Sequence, residues 1–447
     1  MTDLAKLTDA LLSAAKKAGA DTADAIATHG TSVTINVLNG ALEQAERAEG
    51  TDIGLRVLIG KRQACVSASD TSPDTIATMA ERAVAMARLA PEDPHIGLAD
   101  TDQIARAWDT NALDLAEDAP EPSAAHFEQA ALTAEAAALS HKGITQADSV
   151  AAGYSRNAIH LAATNGFSGG YARTSHGLSC VAITGTGADM ERDYFGDSRI
   201  YAADLMSPEE IGRIAAERTL QRAGATKPPT GTFPVLYDER ISTGLIGHLI
   251  QAANGAAIAR GGSWLRDRLG EQVLPKGLTL AENPHRARIG GSKPFDAEGL
   301  ATKARNIVED GILMGWTLDL ATARKLGLQS TASAARGTGG PPSPSNGNVA
   351  LTQGSQSRKD LIRDMGTGLL VTSLIGSTIN PTTGDYSRGA SGFWIENGEI
   401  TYPVAECTIA GNLHQMLASL IPANDARAHL SRVVPSLLVE SMTIAGA

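Results

Sequence analysis

The chain has 447 residues, 43% of them hydrophobic and 19% charged, with a formal net charge of −11. That length exceeds what one ordinary core organises, so two or three domains are expected. The acidic balance argues against a nucleic-acid or anionic-membrane partner, since both select basic faces, and no run of about 18 apolar residues is present to span a bilayer.

In chain order, "MTDLAKLTDALLSAAKKAGA" has no secretory pattern and places Leu4, Leu7, Leu11 and Leu12 at helical spacing. Period-two alternation follows: Val33, Ile35 and Val37 share one face, and Ile53, Leu55, Val57 and Ile59 another. Asn39-Gly40 is the dipeptide of a two-residue hairpin turn. Ser72 then caps a helix with Pro73 at its first position, and Ile76, Met79, Ala83 and Met86 line one face. These elements form an α+β domain assigned to residues 1–95.

The next unit, 115–225, opens with the Ala-rich helix "SAAHFEQAALTAEAAALSHKG". Strands follow at "SVAAGYS", "NAIHLAAT", "LSCVAITGTG" and "DMERDYFGDSRIYAA", with breaks expected at Asn165-Gly166 and Gly169-Gly170. Its last helix begins at Ser207, with Pro208 at the first position and Glu210 placed for a capping box. "GATKPPTGT" at 224–232 is expected to be a linker.

The third unit, 230–447, holds the strand "FPVLYD", the amphipathic helix "RISTGLIGHLIQAANG" and hairpin signals at Glu309-Asp310-Gly311 and Asn397-Gly398. "RGTGGPPSPSNGN" is too rich in Gly, Pro and Ser for a core element, so it is expected to be disordered or a flexible wall beside a site. "AENPHRARIGGSKPFDAEG" gathers His285, Arg286, Arg288, Asp296 and Glu298, and a loop of mutually satisfied polar residues is expected there. The fold class is therefore α+β and multi-domain, with antiparallel and mixed sheets flanked by helices.

Recurrent catalytic templates are missing: no GxxxxGK[ST] loop, no GxSxG elbow, and only the fragment "GTGADM" of a dinucleotide fingerprint. Cys65, Cys180 and Cys407 are far apart with no CxxC pair, which argues against a disulfide framework or Cys-rich zinc site and fits a reducing cytoplasm.

Three passages carry a likeness: "STGLIGHLI", "PPSPSN" (341–346) and, most specifically, "INPTTGDYSRGASGFWIENGEITYPV" (379–404). With the domain order they resemble the TldD/PmbA family, nearest to its PmbA (TldE) branch. The resemblance implies a cytoplasmic TldD–TldE heterodimeric metallopeptidase that encloses unfolded or extended peptides. In it, TldD-type chains hold zinc through an HExxxH helix and a distant C-terminal Cys, and TldE-type chains lack those ligands.

On that pattern Thr243 stands for the first His, Gly244 for the Glu, and only His248 remains. A catalytic zinc needs about three protein ligands and a carboxylate to take the proton of its water. Threonine is a poor ligand and glycine offers no base. The C-terminal stretch has no Cys either, leaving Asp425 and His429, spaced i and i+4, or the upstream Cys407, as the only replacement ligands. The expectation is a chain without catalytic residues, metal or cofactor of its own, with zinc in a TldD-type partner.

Read alone, His248 is a core histidine on an apolar face; the resemblance makes it the vestige of a metal triad. Gly389, Ser391, Gly392 and Phe393 are expected to bind substrate, the small residues letting an extended peptide pair with the backbone, which would suit a peptidase of unfolded chains. A glycine-rich turn and hairpin is the alternative for that stretch. For the whole chain the alternatives are a homodimeric peptide-binding or scaffolding protein and a peptidase with substituted ligands.

Overall fold

A computed structural model describes residues 3–446. The first helix, Leu4–Ala18, begins where the Asp3 side chain accepts from the Lys6 N–H and ends where Gly19 turns left-handed at φ 95°. Strand Thr22–Leu38 then reverses into Ala41–Ile59 through Asn39 (φ 55°) and Gly40 (φ 74°), the turn that the Asn-Gly pair predicts. Ser72 caps helix Pro73–Leu89 with proline in its first turn, as the sequence predicts.

The two α+β units that the sequence suggests share a single sheet. Its antiparallel order is Arg62–Ala68, Ala41–Ile59, Thr22–Leu38, Ile144–Ala163, Ser168–Thr184, Glu191–Arg199. The seam runs from Asp24 opposite Ala163 to Val37 opposite Val150. "SVAAGYS" and "NAIHLAAT" are one strand, and Gly169-Gly170 lies within a strand instead of breaking it. Those glycines serve packing: a Cβ on Gly169 would fall 2.6 Å from the Trp108 ring, and one on Gly170 2.6 Å from the Ile159 carbonyl.

Strand alternation allots the two faces of this sheet. Ala23, Ala25 and Ala27, with Ile53, Leu55 and Val57, bury against the first two helices. Val33, Ile35 and Val37 face the same way and pack on helices Ala124–Leu139 and Pro208–Gln221. Ser207 caps the latter by accepting from the Glu210 N–H, while the Glu210 carboxylate pairs with Arg213 at 3.5 Å. The intervening residues Asp24, Ile26, Gly54 and Arg56 point to the opposite face, where the third unit docks. Ile26 joins Leu161, Phe167, Phe295, Leu300 and Leu320 in a cluster across that junction.

The third unit is built on strands Gly231–Tyr237, Gly368–Ile379, Asp385–Glu396, Glu399–Asn412 and Leu437–Ala445. Gly231–Tyr237 pairs parallel with one neighbour and antiparallel with the other, so the sheet is mixed. Pairing of Thr408–Ala410 with Thr443–Ala445 closes it into a barrel-like ring. Asn397 (φ 52°) and Gly398 (φ 78°) form the predicted hairpin turn, as do Asp310 and Gly311 in a smaller sheet beside it. The segment 224–232 is docked, since Thr226 exchanges backbone hydrogen bonds with Pro403 and Ala405.

The Pro/Ser-rich segment 336–348 is a packed seam and neither of the alternatives expected of it. Ser343–Pro344 pairs with Ala334–Ala335, Asn346 and Gly347 donate to Glu282 at 2.9 and 2.8 Å, and Asn348 is buried. Its backbone rests on the first sheet so closely that a Cβ on Gly54 would fall 2.2 Å from the Thr338 carbonyl. At its start the fully buried Arg336 side chain pairs with Asp24, which Arg56 Nε also reaches at 2.7 Å. Burial alone would raise the Asp24 carboxyl, but the charges of Arg56 and Arg336 outweigh it and hold it below the usual range.

A buried carboxylate shared by two guanidinium groups leaves uncompensated charge when it is neutralised. Asp24→Asn should lose about 3–5 kcal/mol in urea unfolding at pH 7. Because the folded carboxyl is depressed, its contribution is present above its unfolded pKa and disappears as pH falls through the folded value. The gap between wild type and variant should therefore narrow below about pH 4.

Candidate functional site

The helix carrying the degenerate motif, Glu239–Ala252, starts where Asp238 accepts from the Arg240 N–H. Leu245, Ile246, Leu249 and Ile250 are buried beneath it, as the apolar spacing predicts. Thr243, Gly244 and His248 lie half-buried on the remaining surface. Thr243 and Gly244 line a cavity of about 560 Å³ with Thr372, Ser373 and Arg388. His248 lines a second, of about 710 Å³, with Asn254, Trp264, Ser377 and Ile379. The helix thus forms a wall common to two cavities.

His248 packs edge-on against Tyr386, ring centroids 5.8 Å apart. Burial pulls its imidazole below the ordinary value, and the Arg388 guanidinium adds to that shift. A neutral imidazole can ligate a metal, but the fixed Arg388 cation beside it disfavours a divalent ion. Among the described residues no group of three or more His, Cys, Asp or Glu side chains comes together to hold a metal.

The replacement ligands considered from the sequence are engaged elsewhere. Asp425 accepts from the Ser436 N–H and hydroxyl, both at 2.7 Å, in a loop without helical spacing. His429 faces Asp197 at 3.6 Å. Cys407 donates its thiol to the Ala390 carbonyl at 3.2 Å, and burial pushes it up to about 11, so it is a thiol at neutral pH. These residues do not fit a zinc ion. Nor does the polar stretch near Asp296 form a catalytic cluster: Asp296 accepts three backbone N–H groups, His285 bonds Thr302 at 3.0 Å and Arg288 pairs with Asp114.

The reading of Gly389, Ser391, Gly392 and Phe393 as substrate-pairing backbone is corrected by the sheet order. Strand Asp385–Glu396 is internal, flanked by Gly368–Ile379 and Glu399–Asn412. Gly389 lies opposite Ile375 and Thr408, Gly392 opposite Val371 and Val404, and Phe393 opposite Leu370 and Pro403, while Ser391 faces Ser373. Both edges are taken, so no peptide can add there. The glycines instead admit neighbouring strands: a Cβ on Gly392 would fall 1.9 Å from the Leu370 carbonyl, and one on Gly389 2.5 Å from Ile375. Phe393 belongs to a small buried cluster with Leu236, Leu361 and Leu370.

The open backbone is one strand over. Gly368–Ile379 pairs with Gly231–Tyr237 only from Leu369 to Val371. Beyond Val371, among the described residues, its edge beside Glu239–Ala252 has no strand partner. Residues 373 and 375–378 are exposed, Ile375 at 76%. Ladder irregularities at Thr372 and at Gly376-Ser377 bend it, a device that protects a free edge. Arg388 Nε donates to the Gly376 carbonyl at 2.7 Å, and the buried Thr372 hydroxyl has no partner. Sequence reasoning missed this edge because period-two alternation cannot report which strands are neighbours. Its only signal was "TSLIGST", a glycine interrupting a short run of β-branched and small polar residues.

Gly392→Ala should destabilise the protein by about 1–3 kcal/mol through overpacking, while Ser391→Ala stays within about 0.5 kcal/mol, measured by thermal or urea unfolding. Zinc added to the metal-free chain should leave the melting temperature unchanged and retain no stoichiometric metal after dialysis, for wild type and His248→Ala alike.

Residues 23–87, 117–223 and 230–446 match, in turn, the family models for PmbA/TldA metallopeptidase domain 1, the central domain and the C-terminal domain. The chain is 38% identical to the metalloprotease PmbA of Escherichia coli O157:H7 over 95% of its own length and 92% of that protein. It is 36% identical to a PmbA homologue of Haemophilus influenzae, covering 97% and 94%. The crystal structure of a proposed modulator of DNA gyrase from Bacteroides thetaiotaomicron superimposes with a TM-score of 0.91 at 26% identity, covering 99% of this chain and 98% of that one. TldE from Thermococcus kodakarensis shares the fold, with a TM-score of 0.84 at 20% identity over 98% of this chain and all of that one. The three contiguous domain matches and the near full-length identity to PmbA proteins place the chain in the PmbA/TldD metallopeptidase family, on its PmbA branch.

Proposed function

We propose that this chain is the TldE-like, non-catalytic subunit of a TldD–TldE-type metallopeptidase that acts on unfolded or extended peptides. The zinc, the general base and the chemistry belong to a TldD-type partner, and this chain shapes the chamber and helps hold the peptide. The carrying observation is the pairing of an eroded motif with an intact groove. Thr243 and Gly244 stand where a ligand and a base are required, yet the helix still borders two cavities beside an open strand edge.

An extended peptide gripped by that edge would be held through main-chain hydrogen bonds, which are indifferent to side-chain sequence and suit a peptidase of unfolded chains. The partnerless Thr372 hydroxyl supports this reading, because a buried polar group ordinarily has a partner. No described helix is long and apolar enough to cross a membrane, and we place the complex in the cytoplasm.

Co-expression with a TldD-type chain that retains HExxxH and the C-terminal Cys should yield a tight hetero-complex that degrades an unfolded polypeptide, where this chain alone does not. A stable homodimer indifferent to the TldD-type chain would overturn the reading in favour of a scaffolding protein. Ser377 lies in the ladder irregularity between Ile375 and Thr378, so Ser377→Pro removes an N–H from the open stretch where the ladder is already interrupted. In the complex it should raise KM for an extended peptide about tenfold, equivalent to about 1.4 kcal/mol, and leave assembly intact.

A further inference from the structure

The third unit docks on the outer face of the N-terminal sheet and encloses, at the junction, a cavity of about 120 Å³ remote from the degenerate helix. Ile26, Ile159, Leu161 and Phe295 make its apolar wall, and Lys293, Arg336, Tyr171 and Asp296 its polar one. The polar wall has an unbalanced charge pattern. Arg336, with a fully buried side chain, spends Nη1 on Asp24 and has no partner for Nη2. Asp24 is itself divided between Arg336 and Arg56.

Lys293, largely buried, donates to a neutral acceptor, the Ala334 carbonyl at 3.2 Å, and burial pulls its ammonium below the ordinary range. The one carboxylate in the wall, Asp296, is not free to answer these cations. Its Oδ1 accepts from the Glu298 and Leu300 N–H groups and its Oδ2 from that of Ala334. Glu298 behind it is turned to the Leu320 N–H at 2.8 Å, and burial, with Asp296 and Asp319 nearby, pushes its carboxyl well above the usual range.

A buried guanidinium nitrogen without a partner, beside an ammonium whose hydrogen bond goes to a neutral carbonyl and whose wall carboxylate, Asp296, is taken up by backbone N–H groups, calls for an anion. Water would fill such a volume but bring no charge. Phosphate would turn oxygens toward Ile26, Leu161 and Phe295. We propose that this cavity binds a small carboxylate, its oxygens held by Arg336 Nη2 and the Lys293 ammonium and its short alkyl tail against the apolar wall. The ligand bridges the N-terminal sheet and the third unit, so its binding stabilises their junction.

The test uses the full chain with sodium propionate, sodium phosphate and sodium chloride at matched ionic strength. Propionate should raise the melting temperature saturably above chloride, and saturation-transfer NMR should reach the propionate methyl group. Lys293→Met should weaken that binding at least about tenfold, the loss of one charge-assisted contact worth roughly 1.4 kcal/mol or more. Ala335→Leu keeps both cations and narrows the cavity, so it should do the same and decides the matter alone if Lys293→Met fails to fold. The proposal is overturned if propionate acts no differently from chloride, if phosphate binds more tightly, or if Ala335→Leu binds propionate as wild type does.

Discussion

The architecture depends on one strand, Thr22–Leu38, being paired along both of its edges. With Ala41–Ile59 it makes a local hairpin, and with Ile144–Ala163 it makes the long-range seam that turns two α+β units into one sheet. Once that strand is fixed, its alternation assigns everything around it. Alanines and β-branched residues meet four helices on one face, while Asp24 and Ile26 meet the third unit on the other. The small residues are part of the same arrangement, since Gly54 opposite Ile26 leaves room for the Thr338 backbone.

Fastening a glycine- and proline-rich segment to such a face requires something stronger than apolar contact. The segment has few large side chains to bury, so its anchor is a charge: Arg336 reaching Asp24, with Arg56 already there. Removing such a charge from water is costly, and the site is stable only while the carboxylate stays ionised between its two partners. The same concentration of cations leaves a nearby cavity short of negative charge.

In the third unit the ring of strands closes through Thr408–Ala410 and Thr443–Ala445, and Gly368–Ile379 outruns its neighbour Gly231–Tyr237 beyond Val371. The degenerate helix lies beside that stretch. Thr243 and Gly244 offer neither a metal ligand nor a base, and their cavity is bordered by Arg388, a fixed cation near His248. The proposed peptide-holding role rests on that arrangement, and the fold that carries it is shared with PmbA and TldE proteins.

The sequence by itself determined the local elements and the likeness to the family. Asn39-Gly40, Asn397-Gly398 and Asp310-Gly311 specify turns through left-handed dihedrals that only a few residues tolerate, and Ser72 and Ser207 specify helix starts through their own side chains. On the HExxxH pattern that the resemblance implies, Thr243 and Gly244 offer neither a ligand nor a base. Tertiary structure decided which strands are neighbours, because period-two alternation is the same for an internal strand as for an edge. For that reason Gly389 and Gly392 looked like room for a peptide and prove to be room for adjacent strands, while the open edge at 372–379 was not visible. Buried charge was equally out of reach: nothing local to Asp24, Arg56 or Arg336 foretells their meeting, since a pairing across more than three hundred residues exists only once the sheet and the third unit have packed.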